Sequence, residues 1–203
     1  MKQKIKRLTS EIQAYIATHL STERYEHSVS VAKYAKHLAI VYGKSVKKQR
    51  LAYLAGLAHD ICKELSDSEQ LLLLQKAQLS VSPIEKQRIN LAHGKTGAFF
   101  LEHTFCIDSS RVLAAVRHHT FGSPDLDTVG KLVFLADKIE PHRKFADKWR
   151  KRVGRIPLNE LVLQVLQENI KHVQAKGFLV SDETIRMEKK LQKKISKKQK
   201  VLI

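Results

Sequence analysis

Cysteine is scarce in this chain, with two among 203 residues. Cys62 and Cys106 lie far apart and in no CxxC spacing, so neither a disulfide framework nor a zinc ribbon is indicated, and a reducing compartment fits. No apolar run approaches a membrane span, and the opening "MKQKIKRLTS" leads into an amphipathic pattern rather than a signal-peptide core. A globular protein of the cytoplasm, without membrane association, is therefore expected. Internal repeats and low-complexity tracts are absent apart from a lysine-rich end, and evidence for strands is thin.

Acidic residues are also few, 20 against 37 Lys and Arg, which leaves a formal charge of +17. Most of that excess is terminal. The last stretch, "RMEKKLQKKISKKQKVLI", holds eight basic residues and one Glu, and Lys2, Lys4, Lys6 and Arg7 add four more at the other end. Such ends keep a protein soluble, or they form a patch for RNA, a ribosomal surface or polyphosphate. The first reading is favoured, because no Phe, Tyr or Trp follows Phe178 to offer a stacking surface.

What is abundant is helical periodicity. Ile5, Leu8, Ile12, Ile16 and Leu20 mark a first helix; Val29, Ala32, Ala35, Leu38, Ala39 and Tyr42 mark a second that stops near Gly43. A third runs from about Val46 to His59. Ser66 to Ser68 can cap a fourth over "EQLLLLQKAQL", and Pro83 suits the first turn of the next segment. Lys95–His103, Ser109–His119, Thr128–Ile139 and Leu158–Val173 read as further helices, with Ser181 a cap for the last. The expected fold is all-α, a helical bundle with a basic C-terminal helical extension. Residues 1–150 form the main domain, and 151–203 an extension packed on it or projecting from it.

Ten histidines are present, and several stand at helix ends or junctions. In chain order they are His27 in "RYEHS", His59 beside Asp60 in "AHDIC", His93 in "LAHGK", and His118 with His119 in "VRHHTFG"; Asp137 follows in "LADKIEP". Taken singly, each reads as an ordinary surface or boundary residue. Together they pose a difficulty. Asp60 at the C-terminal end of a helix opposes the helix dipole, and Asp137, on the continuing face of an apolar helix, is costly if buried without a partner. A shared cation removes both objections. Imidazole nitrogen with carboxylate oxygen suits Fe, Mn, Co or Zn and leaves positions open for water and substrate. Such ions acidify water and polarise phosphoryl oxygens, so hydrolysis of a phosphoester or phosphoanhydride is the natural chemistry.

The order His, His-Asp, His, His, Asp resembles the HD-domain metal-dependent phosphohydrolases. Within them, "RYEHSVSVAKYAKHLA", "AGLAHDICKEL", "HGKTGA", "RHHTFGSP" and "FLADKIEPHRKF" look like the YqeK-type branch of symmetrical bis(5′-nucleosyl)-tetraphosphatases, over about residues 20–145. That resemblance implies that His27, His59, Asp60 and Asp137 hold one metal. It also implies that His93 and His119 hold a second or bind phosphate, with His119 preferred to His118 because it directly precedes Thr120. It implies iron in a dinuclear centre, although the residues accept manganese or cobalt equally. The implied substrate is diadenosine tetraphosphate, cut to two ADP. His59, Asp60 and His93 are the catalytic candidates. Arg24, Lys63, His118, Thr120 and Arg143, with ligands His27, Asp60, His93, His119 and Asp137, are the substrate-binding candidates, since Lys63 and Arg24 lie about one helical turn from Asp60 and His27.

Two alternatives stand beside this reading. One keeps the metal and changes the nucleotide. The other is a non-enzymatic module in which the basic ends contact RNA or a ribosome. Oligomeric state is not legible.

Overall fold

The computed structural model describes residues 2–200 as eleven α-helices joined by turns and two short 3₁₀ segments, with no strand among the described residues. They are α1 (Lys2–His19), α2 (Thr22–Val41), α3 (Val46–Ala58), α4 (Asp67–Lys76), α5 (Pro83–Gln87), α6 (His93–Thr104), α7 (Ser110–His118), α8 (Thr128–Ile139), α9 (Asp147–Arg150), α10 (Leu158–Ala175) and α11 (Asp182–Lys200). No described helix is long and apolar enough to cross a membrane.

Local chemistry explains most helix starts. Ser66 and Ser82 each form a capping box, with Glu69 and Glu85 reaching back to the cap, and Pro83 occupies the first turn of α5. Asp127, rather than the neighbouring Thr128, caps α8 by accepting from the Gly130 N–H at 3.0 Å. The Ser181 hydroxyl accepts from the Glu183 N–H at 3.3 Å, at the start of α11.

Several boundaries differ from the spacing by one or two residues, and two of them matter for the site. The third helix stops at Ala58, and residues 59–64 continue as tight turns in which Ile61 and Lys63 donate to carbonyls three residues back. The carboxylate of Asp60 therefore leaves a turn at the end of α3 rather than the flank of a helix. The sixth helix begins at His93, two residues before the predicted Lys95, because a 3₁₀ turn over Ile89–Ala92 leads directly into it.

One hydrophobic core runs from Ile5 to Leu191. Helix α3 lies at its centre, packed against α1, α2, α7 and α8. The C-terminal helices belong to the same core. Leu161, Val162, Val165 and Leu166 of α10 and Met187 and Leu191 of α11 are buried in it, and α10 bridges α8 and α11. Each such side chain contributes about 1.5–3 kcal/mol on burial. The Thr184 hydroxyl further ties α11 to the main body by donating to the Phe121 carbonyl at 2.7 Å. Among the described residues, the buried side chains of these C-terminal helices extend as far as Leu191.

Candidate metal centre and its cavity

Three histidines reach one buried cluster by the same device. His59, His93 and His119 each follow a helical or 3₁₀ turn, and each Nδ1–H donates to the carbonyl three residues earlier, of Gly56, Asn90 and Val116, at 2.7, 2.6 and 2.7 Å. A carbonyl only accepts, so these bonds set the tautomer and leave every Nε2 with its lone pair facing inward. The close approach of α6 to α7 needs Gly94, since a Cβ there would stand 2.7 Å from the Arg117 carbonyl oxygen and 2.9 Å from that of Val116. As a result His93 Nε2 and His119 Nε2 lie 2.9 Å apart.

Asp60 stands between two groups of ligand atoms. Its Oδ1 is 3.1 Å from His93 Nε2 and 3.4 Å from His119 Nε2, whereas its Oδ2 is 3.5 Å from His59 Nε2. Asp137 Oδ1 adds contacts of 3.2 Å to His27 Nε2 and 3.7 Å to His59 Nε2. Within each of the sets His27–His59–Asp60 and Asp60–His93–His119, the donor atoms lie within 4.8 Å of one another.

This donor set fits divalent cations. His59 Nε2 is buried without any hydrogen-bond partner, and the lone pairs of His93 and His119 face each other beside a single hydroxyl, that of Thr120, which can donate to only one of them. Buried acceptors crowded in this way call for a positive centre. The mixture of imidazole nitrogen and carboxylate oxygen suits first-row transition metals.

The electrostatics agree. Burial pushes the His59 pKa down to about 4 against the pull of Asp60, so the ring is neutral and able to ligate. Burial likewise lowers His119. For Asp60 burial acts in the opposite sense, yet the carboxyl is held well below its ordinary range, and the Arg24 guanidinium 2.7 Å from its Oδ2 supplies the positive charge that neutral imidazoles do not. Burial would also raise Asp137, and Lys138, followed by His27, outweighs it. Both carboxylates are ionised.

Outer partners fix the ligands. Glu140 Oε1 sits 3.4 Å from His27 Nδ1, while its Oε2 accepts from the Ser30 hydroxyl at 2.6 Å and the His142 N–H at 2.8 Å. Glu64 accepts from both the backbone N–H and the hydroxyl of Ser21 at 2.6 Å, tying the start of α2 to the turn after α3. That clamp brings Arg24 to 2.7 Å from Asp60 Oδ2.

The cavity above the cluster has a volume of about 420 Å³. Arg24, Lys63, Thr120 and Arg143 line it, together with Asp60, His93, His119 and Asp137. The Thr120 hydroxyl is 3.2 Å from Nε2 of both His93 and His119. Arg143 reaches to 3.7 Å from Asp137 Oδ1. His118 goes elsewhere. It lines a neighbouring cavity with Lys95, Arg117 and Glu183, because consecutive helical residues point about 100° apart and His119 takes the inward direction.

Sequence reasoning missed Glu140, Lys138, Arg88 and the connector 178–181, the last three of which line the cavity. Glu140 had a usable signal, since it stands three residues after Asp137 on the same helical face. The connector had none.

A family model for the HD domain matches residues 24–142, more than half of the chain. The chain belongs to the HD-domain family. Over 171 residues it is 31% identical to a symmetrical bis(5′-nucleosyl)-tetraphosphatase of Halalkalibacterium halodurans, covering 84% of this chain and 89% of the relative. A Staphylococcus aureus protein of the same name is 33% identical over 141 residues, 70% of this chain and 67% of that one. A crystal structure from Clostridium acetobutylicum, described as a predicted HD superfamily hydrolase involved in NAD metabolism, superposes with a TM-score of 0.83 at 30% identity. It covers 91% of this chain and 97% of its own. The likeness therefore extends past the HD domain into α10 and α11, the helices that complete the cavity.

Proposed function

We propose that this HD-domain protein hydrolyses dinucleoside tetraphosphates, diadenosine tetraphosphate foremost, symmetrically into two nucleoside diphosphates. The observation that carries the reading is a buried His and Asp cluster facing a cavity with Arg24, Lys63, Lys138 and Arg143 in its walls. The relatives that span most of the chain bear the corresponding name.

His27, His59, Asp60 and Asp137 would hold one divalent ion, and Asp60, His93 and His119 would serve a second. Iron is the metal we propose, and manganese and cobalt suit the same donors. Bound there, divalent ions acidify water and neutralise charge on phosphoryl oxygens. The four surrounding cations bind and straighten the polyphosphate, and arginine grips a phosphate through two parallel N–H donors. Lys63 has the further role of holding a proton for the departing oxygen. Its Nζ lies 3.3 Å from His93 Nδ1, and burial, opposed by Asp60, lowers its pKa and makes that proton easier to transfer. Arg24, held against Asp60, keeps that carboxylate oriented while phosphate enters.

The deciding experiment combines elemental analysis of the purified protein with product analysis on diadenosine tetraphosphate in the presence of Fe, Mn or Co. ADP as the sole product is expected. AMP with ATP, or faster turnover of another nucleotide in a panel, would overturn the assignment.

A further inference from the structure

The cavity above the metal cluster is also lined by two large apolar side chains that the core does not use. Phe178 is 50% exposed and Leu179 60% exposed, and both line the cavity. They lie on the connector between α10 and α11, beyond the stretch that the HD-domain model matches.

Phe178 is rigidly placed despite its exposure. Helix α10 ends with Gly177 in the left-handed region, at φ +73°, where its N–H donates to the Gln174 carbonyl at 2.9 Å and the Phe178 N–H donates to the Val173 carbonyl at 3.1 Å. This paired closure is a Schellman cap, which sets the residue after the glycine beside the last turn of the helix. Val173 lines the same cavity.

One face of the Phe178 ring is covered by the guanidinium of Arg88, 5.4 Å from its centroid. Arg88 in turn is close enough to Lys63 for the two charges to be felt, and Lys63 lies beside His93. A series of neighbours thus links the metal-ligand candidate His93, through the cations Lys63 and Arg88, to an exposed aromatic ring in the same cavity. A nucleotide has the same order, with phosphates at one end and a planar base at the other.

Building on the proposed nucleotide substrate, we propose that Phe178, backed by Arg88, is the platform on which one nucleobase of the substrate stacks. The Asn169 side-chain amide, in the same cavity, is available to its edge. Stacking on an aromatic face tolerates every base, so the platform selects for a nucleoside over a bare polyphosphate rather than for one base over another.

The test measures calorimetric binding of ADP and of inorganic pyrophosphate to the metal-loaded wild type, Phe178→Ala and Phe178→Trp, with diadenosine tetraphosphate hydrolysis followed in parallel. In Phe178→Ala the ADP dissociation constant should rise about ten-fold, that for pyrophosphate should change by less than about two-fold, and Phe178→Trp should restore ADP binding. Equal changes for the two ligands, or none for ADP, with hydrolysis by the wild type intact, would sink the platform alone. Absence of wild-type hydrolysis with the contrast between ADP and pyrophosphate preserved would sink the tetraphosphatase reading and leave the platform standing.

Discussion

The two walls of the cavity are built on opposite principles. On one, α3, the 3₁₀ turn before α6, and α7 end in buried turns whose histidines are locked by backbone carbonyls, and polar atoms are held in surroundings that would reject them without a cation. On the other, a capped helix end presents apolar side chains to solvent. The first wall tolerates no displacement, because its function rests on donor atoms meeting at a point. The second needs only a flat surface at the right distance, which a short connector supplies.

The largest effect is expected at Asp60, whose two oxygens face the two histidine groups. Asp60→Ala should abolish hydrolysis and metal retention while leaving the helical circular dichroism intact; a variant that keeps wild-type turnover without metal would break the assignment of the buried wall.

Next comes Glu140→Gln, which keeps the shape and removes the charge facing His27 Nδ1. A loss of about 10- to 100-fold in metal affinity or activity is expected for such an outer partner. A metal titration checks it.

Gly94→Ala probes how tightly that wall is set. The new methyl meets backbone oxygens of α7, so we expect a cost of about 1–3 kcal/mol in unfolding free energy and weaker metal binding at the His93–His119 pair. Denaturant melts and a metal titration measure the two separately.

The last effect needs no metal and is the pH dependence of the metal-free protein. His59 has a folded-state pKa of about 4, below the ordinary histidine value of about 6.5, so between these limits the unfolded chain binds more protons. The stability associated with a neutral His59 is complete above the upper limit and is lost as pH falls through the lower one. Thermal melting of chelated protein should therefore decline over that window, and a flat profile would show that the ring is not held neutral by burial.

Much of this was legible in advance. Apolar spacing in α1, α2 and α10 marks one buried face per helix, which is a local property that any chain of that pattern carries. The ligand candidates stood out as ionisable residues ending apolar runs. His118 was harder, because its neighbour has the same chemistry and only the direction of one helix separates them. Phe178 gave no sign, since a lone aromatic after a glycine is usually a helix end and nothing more.

By itself, then, the sequence determined an all-helical chain, the identity of six metal-ligand candidates and three of the cations near them, Arg24, Lys63 and Arg143, because helix periodicity and donor chemistry are written residue by residue. Only the tertiary structure decided that Asp60 turns one oxygen to each histidine group, that Glu140 backs His27, and that the C-terminal helices close the cavity. Those are contacts between segments about 30 to more than 100 residues apart, and they exist only once the core brings helix ends together.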